Sequence, residues 1–269
     1  MTRMQKAKRR SDFMEIIDTI EGSYIRELLK QGKRLDSRGP HEFRNIKIEA
    51  DVIPHAEGSA QVEIGTTKAL VGIKMMADEP MEDTPGMGNL VINAELLPLA
   101  YVDYEGGPPS PESIELARVV DRGIRAGRCV DLESLALSDG KVWSIYADIY
   151  VLDYGGNLFD RSELAVMEAL MHTKIPKYED GKVIREKDKN LKIDNIVTSA
   201  TFGKIGESLL LDPNINEESI AEARITVATD DTEIKAMQKG LQGSFTQSEI
   251  EEAIDIAFEQ HKKLKEILR

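Results

Sequence analysis

The chain has 269 residues, with 35 Lys and Arg against 48 Asp and Glu, a formal charge of -13, and 41% hydrophobic and 31% charged residues. That is an ordinary globular mix, which excludes disorder or a fibrous repeat as the overall class. The acidic balance argues against a general coat on nucleic acid but leaves room for a local basic patch.

The first 34 residues hold nine Lys or Arg against five Asp or Glu. Met1 to Arg10 is basic but lacks the apolar core of a signal peptide. From Asp12 to Leu29 the residues Phe13, Ile16, Ile17, Ile20, Tyr24, Ile25 and Leu28 recur at helical spacing, so an amphipathic helix is expected to dock on something. A strand-rich stretch follows. Arg44 to Val52 alternates, and Ala60–Ile64 and Ala69–Met75 read as a hairpin turned at Gly65-Thr66-Thr67-Lys68. Asp78 to Asn89 is rich in Pro, Gly and acid and predicts a loop before a strand at Leu90–Leu97.

The break at Glu105 to Pro111 precedes a helix, with Ser110 as its N-cap, Pro111 at the first position and Gly127 as its stop. Val142 to Leu152 reads as a long strand, and Asp160 to His172 as a helix. Pro176 to Asp194 carries six Lys or Arg and five Asp or Glu, a solvated hairpin or a joint between halves. Strands are expected at Ile196–Phe202, Glu207–Leu211, Ile225–Ala228 and Glu233–Met237, with a short helix at Asn216–Ala223. Thr246 and Glu249 form a capping box for a last helix. Its apolar face is Ile250, Ala253, Ile254, Ala257, Phe258 and Leu264. Strands and helices thus recur in two rounds, without a convincing sequence period. The expected division is a helical extension over 1–34, a first half over 35–185, and a second half over 186–269.

Few residues are arranged for chemistry. The single cysteine, Cys129, cannot form an internal disulfide framework, fits a reducing cytoplasm and is expected to be inert. His41, His55, His172 and His261 are scattered without metal-ligand partners, so neither metal nor other cofactor is expected. No run approaches ~18 uninterrupted apolar residues, so no membrane span is expected. Asp153 to Asn157 could hold an anion on backbone N–H groups, but reads better as a tight turn. The most informative segment is Ile114 to Arg128. There Leu116, Ala117, Val119, Val120 and Ile124 fill one arc of a helix. Arg118, Arg122 and Arg125 form a stripe on the other side at i, i+4 and i+7. Such a stripe suits a polyphosphate backbone, which guanidinium forks can grip. Carboxylates elsewhere in the fold, or on a partner, could equally claim these arginines.

Several motifs resemble the RNase PH superfamily: Arg34-Leu35-Asp36-Ser37-Arg38, and Gly58-Ser59-Ala60 followed by Gly65-Thr66-Thr67. Glu95 to Ala100, Ile114 to Arg122 and Leu152 to Asn157 resemble one branch, the non-catalytic RNase PH-like subunit of the archaeal exosome ring. The similarity runs from about residue 15 to 262. It implies an α+β RNase PH-like fold of two βαβα-type halves, with mixed sheets packed against helices. It also implies a catalytic RNase PH-like partner, three heterodimers closing a six-membered ring, RNA-binding cap subunits, and single-stranded RNA shortened from its 3′ end by phosphate attack. In that picture Arg118 and Arg122 hold RNA as it approaches the partner's active site, and Arg125 matches less well. Two departures mark this chain as inactive. Gly156-Asn157-Leu158 stands where catalytic members have a Gly-Ser-Arg or Gly-Thr-Arg phosphate site. Glu218 and Arg224 stand where they have an acidic pair, and a cation at the second position cannot serve as general acid or bind a divalent ion. The alternatives are a divergent phosphorolytic exoribonuclease active on its own, with Glu217, Glu218 or Glu222 as its acid, and a structural spacer without RNA contact.

Overall fold

The structure, a computed structural model, describes residues 21–268. The described part of the first helix, α1, covers residues 21–30. Ile25 is buried, and Gly22 packs against Ile220, so this part docks within the chain. Phe13, Ile16, Ile17 and Ile20 lie outside the described residues.

The first sheet has five strands: β1 (Ile46–Ala50), β2 (Gly58–Ile64), β3 (Thr67–Asp78), β4 (Asn89–Leu96) and β5 (Val142–Asp153), in the order β1-β2-β3-β5-β4. The β2–β3 hairpin turns on Gly65-Thr66 alone, since Ile64 pairs with Thr67; β3 starts two residues earlier than the expected turn at Gly65-Thr66-Thr67-Lys68 allows. β4 joins β5 in parallel, and the crossover between them contains α2 (Pro111–Ala126). Ser110 caps α2 by accepting from the Ser113 N–H, and Pro111 takes the first turn, where no backbone donor is needed.

α3 (Leu158–Met171) follows β5 directly and is buried on every side save at Met171. It sits between the two sheets. The charge-dense stretch forms a hairpin of β6 (Lys174–Glu179) and β7 (Lys182–Asn190). The second sheet comprises β8 (Thr198–Ile205), β9 (Ser208–Leu211), β10 (Ala223–Thr229) and β11 (Ile234–Gly240), in the order β11-β10-β8-β9, with α4 (Ile215–Ile220) between β9 and β10. Only the first sheet is mixed; the second is antiparallel at each of its pairings.

Alternation along β8 places the layers. Ala200 and Phe202 join the apolar cluster under α5 (Gln247–Ile267). Ser199 and Thr201 point the other way, where the Thr201 hydroxyl meets Asp160 of α3 at 2.6 Å. The result is sheet, helices α2 and α3, sheet, and α5. Both arms of the Thr246–Glu249 capping box are formed at the start of α5. Its buried face also includes Ile256, Gln260 and His261, which the apolar pattern leaves out.

Candidate nucleic-acid interface

α2 positions the arginine stripe by burying Leu116, Ala117, Val119, Val120 and Ile124. That face packs on β4, α3 and β11 and leaves Arg118, Arg122 and Arg125 exposed. The three side chains differ in their surroundings. Arg118 has no side-chain partner among the described residues. Arg122 donates from Nε to the Arg118 carbonyl at 3.2 Å and from Nη2 to Gln238 Oε1 at 2.9 Å. Arg125 is held by Asp121, at 2.8 Å from Nη2 to Oδ1, and by the Leu90 carbonyl at 2.8 Å. A carboxylate therefore does claim one member of the stripe, although the helical wheel sets Asp121 to its side. The long Arg125 side chain reaches back one turn to it.

At the N-terminal end of α2 the helix borders a cleft of about 370 Å³. Asp103, Glu112, Glu115 and Glu218 line it, and Arg224 is the one cation among its lining residues. Tyr101, Tyr104 and Tyr154 cluster along one wall with ring centres 5.2–5.6 Å apart, Tyr101 edge-on to the other two and these tilted by 35° to each other. Arg224 is neutralised by Glu115 at 2.8 Å and lies over the Phe159 ring, 4.4 Å from its centre. Burial pushes the Glu218 carboxyl above its ordinary value, against the Tyr154 hydroxyl that donates to it at 2.7 Å. Burial raises Glu112 as well, with the Glu218 charge adding to it. A cleft with four carboxyl groups and one committed guanidinium repels an inorganic phosphate.

The turn beside the cleft, between its lining residues Tyr154 and Leu158, is wired shut. The Gly155-Gly156-Asn157 turn is the stretch where a phosphate would sit on backbone N–H groups. Here the Gly155 N–H donates to Thr67 Oγ1 at 2.5 Å. Asn157 is buried in the left-handed region, φ 58°, and its amide nitrogen donates to both Asp160 and Asp212 at 2.8 Å. Two arginines do reach this turn, one from the first turn of α3 and one from far away in the sequence. Arg161 donates to the Gly156 and Asn157 carbonyls, and burial lowers it to about 9. Arg44 donates to the Gly155 and Gly156 carbonyls and pairs with Asp212 at 2.7 Å. Burial pushes Asp212 up, but Arg44 and Arg161 outweigh it and hold the carboxyl at about 2. Both cations face carbonyls and a carboxylate, so the expected tight turn is what the structure contains. Local sequence could not reveal this network, because Arg44 and Asp212 stand 168 residues apart.

The Arg34 to Arg38 motif is likewise structural. Arg34 forks onto Glu217, at 2.8 and 2.6 Å, and donates to the Leu211 and Asp212 carbonyls. Arg38 reaches Asp36 and Asp212. Among the proposed acids, Glu217 is thus taken by Arg34, and Glu222 accepts from the Gly206 N–H. Cys129 is buried, which pushes its thiol up to about 12 and removes it as a nucleophile. Among the described residues no group of three or more His, Cys, Asp or Glu is placed to hold a metal ion, and no helix is long and apolar enough to cross a membrane.

Comparison with known proteins agrees with this architecture. The model of the 3′ exoribonuclease family, domain 1, matches residues 42–176, and that of domain 2 matches residues 195–260. The exosome complex component Rrp42 of Methanothermobacter thermautotrophicus is 45% identical over 261 residues, which cover 95% of this chain and 96% of that protein. A chain of the Archaeoglobus fulgidus exosome with RNA bound to the active site superposes with a TM-score of 0.89 at 40% identity, over 94% of this chain and all of the other. A chain of an archaeal exosome core gives 0.84 at 39% identity, over 94% and 98%.

Proposed function

The chain belongs to the 3′ exoribonuclease (RNase PH) family, and from that premise we propose that it is a non-catalytic subunit of an archaeal-type RNA exosome. In the ring that this implies, a catalytic RNase PH-like partner breaks the bond. Inorganic phosphate attacks the terminal phosphodiester of single-stranded RNA. The P–O3′ bond breaks, a nucleoside diphosphate leaves, and the shortened strand keeps a 3′-hydroxyl. Three such heterodimers close a six-membered ring beneath RNA-binding caps, in the cytoplasm, and the halves 35–185 and 186–269 form this chain's share of it. Arg118 and Arg122 hold the RNA backbone on its way to the partner's site. Arg125, already paired with Asp121, contributes least.

The observation that carries this reading is the closed turn beside the cleft, where Asn157 binds two carboxylates in place of a phosphate-gripping cation. The alternative of an independent exoribonuclease would need a free cation at that turn. Arg44 and Arg161 are both engaged there, and Arg224 is paired with Glu115.

Charge reversal tests the grip. In the assembled complex, Arg118→Glu with Arg122→Glu is expected to weaken RNA binding by about tenfold to a hundredfold, evenly across sequences. The slope of log affinity against log salt should become shallower by about 1.4, at about 0.7 per single-strand phosphate contact. Unchanged affinity would make the subunit a spacer.

A further inference from the structure

We propose that Gln238 is a positioning residue for the RNA grip, holding the Arg122 guanidinium in place from the second half of the chain; this rests on the reading of Arg118 and Arg122 as backbone contacts. Gln238 lies on β11 opposite Thr226 of β10. Its side chain lines a narrow crevice between α2 and β11, together with Val119, Arg122, Thr226 and Ala228. A guanidinium only donates, so the amide oxygen of Gln238 is the atom that must face it, as the 2.9 Å contact requires. With Nε on the Arg118 carbonyl, two of five N–H groups are anchored inside the protein. The remaining three stay available to phosphate oxygens.

A second tether keeps β11 within reach. Arg224 of β10 crosses beside Gly240 to meet Glu115 of α2. A Cβ on Gly240 would stand 2.7 Å from Arg224 Nη2 and 3.0 Å from Nε, so the β11 backbone closes on this ion pair and is fixed against α2. The family's second acidic position has thus become a strut between the two halves. Arg118 has no such support. The two arginines divide the work: Arg122 is pre-oriented and loses little freedom on binding, while Arg118 adapts.

The test is RNA affinity of the assembled complex carrying Gln238→Met, which keeps the length of the side chain but cannot accept the hydrogen bond. Binding should weaken about two- to tenfold, the penalty of ordering one long side chain on association. The loss should persist when Arg118→Ala is also present and vanish when Arg122→Ala is present. No loss in the otherwise unchanged protein overturns the proposal. So does an equal loss with Arg122→Ala, because that is what misfolding or a direct Gln238–RNA contact gives. Should Arg122→Ala alone leave affinity unchanged, the RNA grip itself fails, and this inference with it.

Discussion

Arg34→Ala is expected to destabilise the chain by about 3–5 kcal/mol, lowering its unfolding midpoint by about 6–20 °C. The reason lies in what the substitution leaves behind. Glu217 is fully buried, and its carboxylate would keep only the Asn214 N–H at 2.9 Å and a stretched ion pair with Arg38 at 4.0 Å. The Leu211 carbonyl would lose the Arg34 donor as well, and the Asp212 carbonyl would keep only Arg38, at 3.1 Å. An uncompensated buried charge costs more than the ion pair contributes, so removing both charges should hurt less than removing one. Arg34→Met with Glu217→Gln should therefore recover much of the loss, since Gln can still accept from the Asn214 N–H. A denaturant series on both variants is decisive; a single-variant loss below about 1 kcal/mol would contradict the burial that places Arg34 at the root of the 211–217 loop. That loop carries Asp212 and leads directly into Glu218, so the Arg34 motif sets the shape of the cleft.

Glu163→Gln should remove a pH dependence of stability that the native chain carries. Glu163 lies on α3 with 1% exposure, and neither carboxylate oxygen has a hydrogen-bond partner. It faces Gly123 of α2 so closely that a Cβ there would stand 2.3 Å from its Oε1. Burial, opposed by the nearby Ser199 hydroxyl and aided by the Asp160 charge, pushes its carboxyl up to about 8 from the ordinary 4.5. The unfolded chain therefore ionises this group first. Below pH 4.5 both states hold the proton and the group is neutral toward stability. From there to pH 8 stability falls, by about 1.4 kcal/mol per pH unit and about 5 kcal/mol in all. The neutral amide mimics the protonated acid at every pH. The variant should match the native chain near pH 4.5 and exceed it by several kcal/mol at pH 9. Asp160, raised by burial to about 6, titrates in both proteins and cancels in the difference. Parallel stability curves from pH 4.5 to 9 would show that Glu163 is ionised or solvated in the fold.

The two cases also mark where sequence patterns stop. β5 and α2 were legible nearly to the residue, because their signals are local: a β-branched and aromatic run, and a Ser-Pro start. α3 was legible as a helix, but its burial on all sides was not. Its polar residues are buried with the rest: Asp160 meets Thr201 of β8, Arg161 meets the turn before the helix, and Glu163 faces Gly123 of α2. The arginine stripe was visible from spacing, and the Asp121–Arg125 pair was available at i, i+4 but stood off the wheel's stripe. Gln238 carried no signal at all, since its meaning depends on β11 lying against α2 across 116 residues of chain. The Arg34 motif was recognisable by resemblance, while its role as a lock on Glu217 required the fold.

The central claim is that this subunit grips RNA while its neighbour breaks the bond. Nucleoside diphosphate release from single-stranded RNA tests it most directly, with the purified chain and its mixture with a catalytic RNase PH-like partner compared with and without inorganic phosphate. The account predicts no release by the chain alone at any phosphate concentration, and phosphate-dependent release by the mixture. Phosphate-dependent nucleoside diphosphate release by the chain on its own would contradict it.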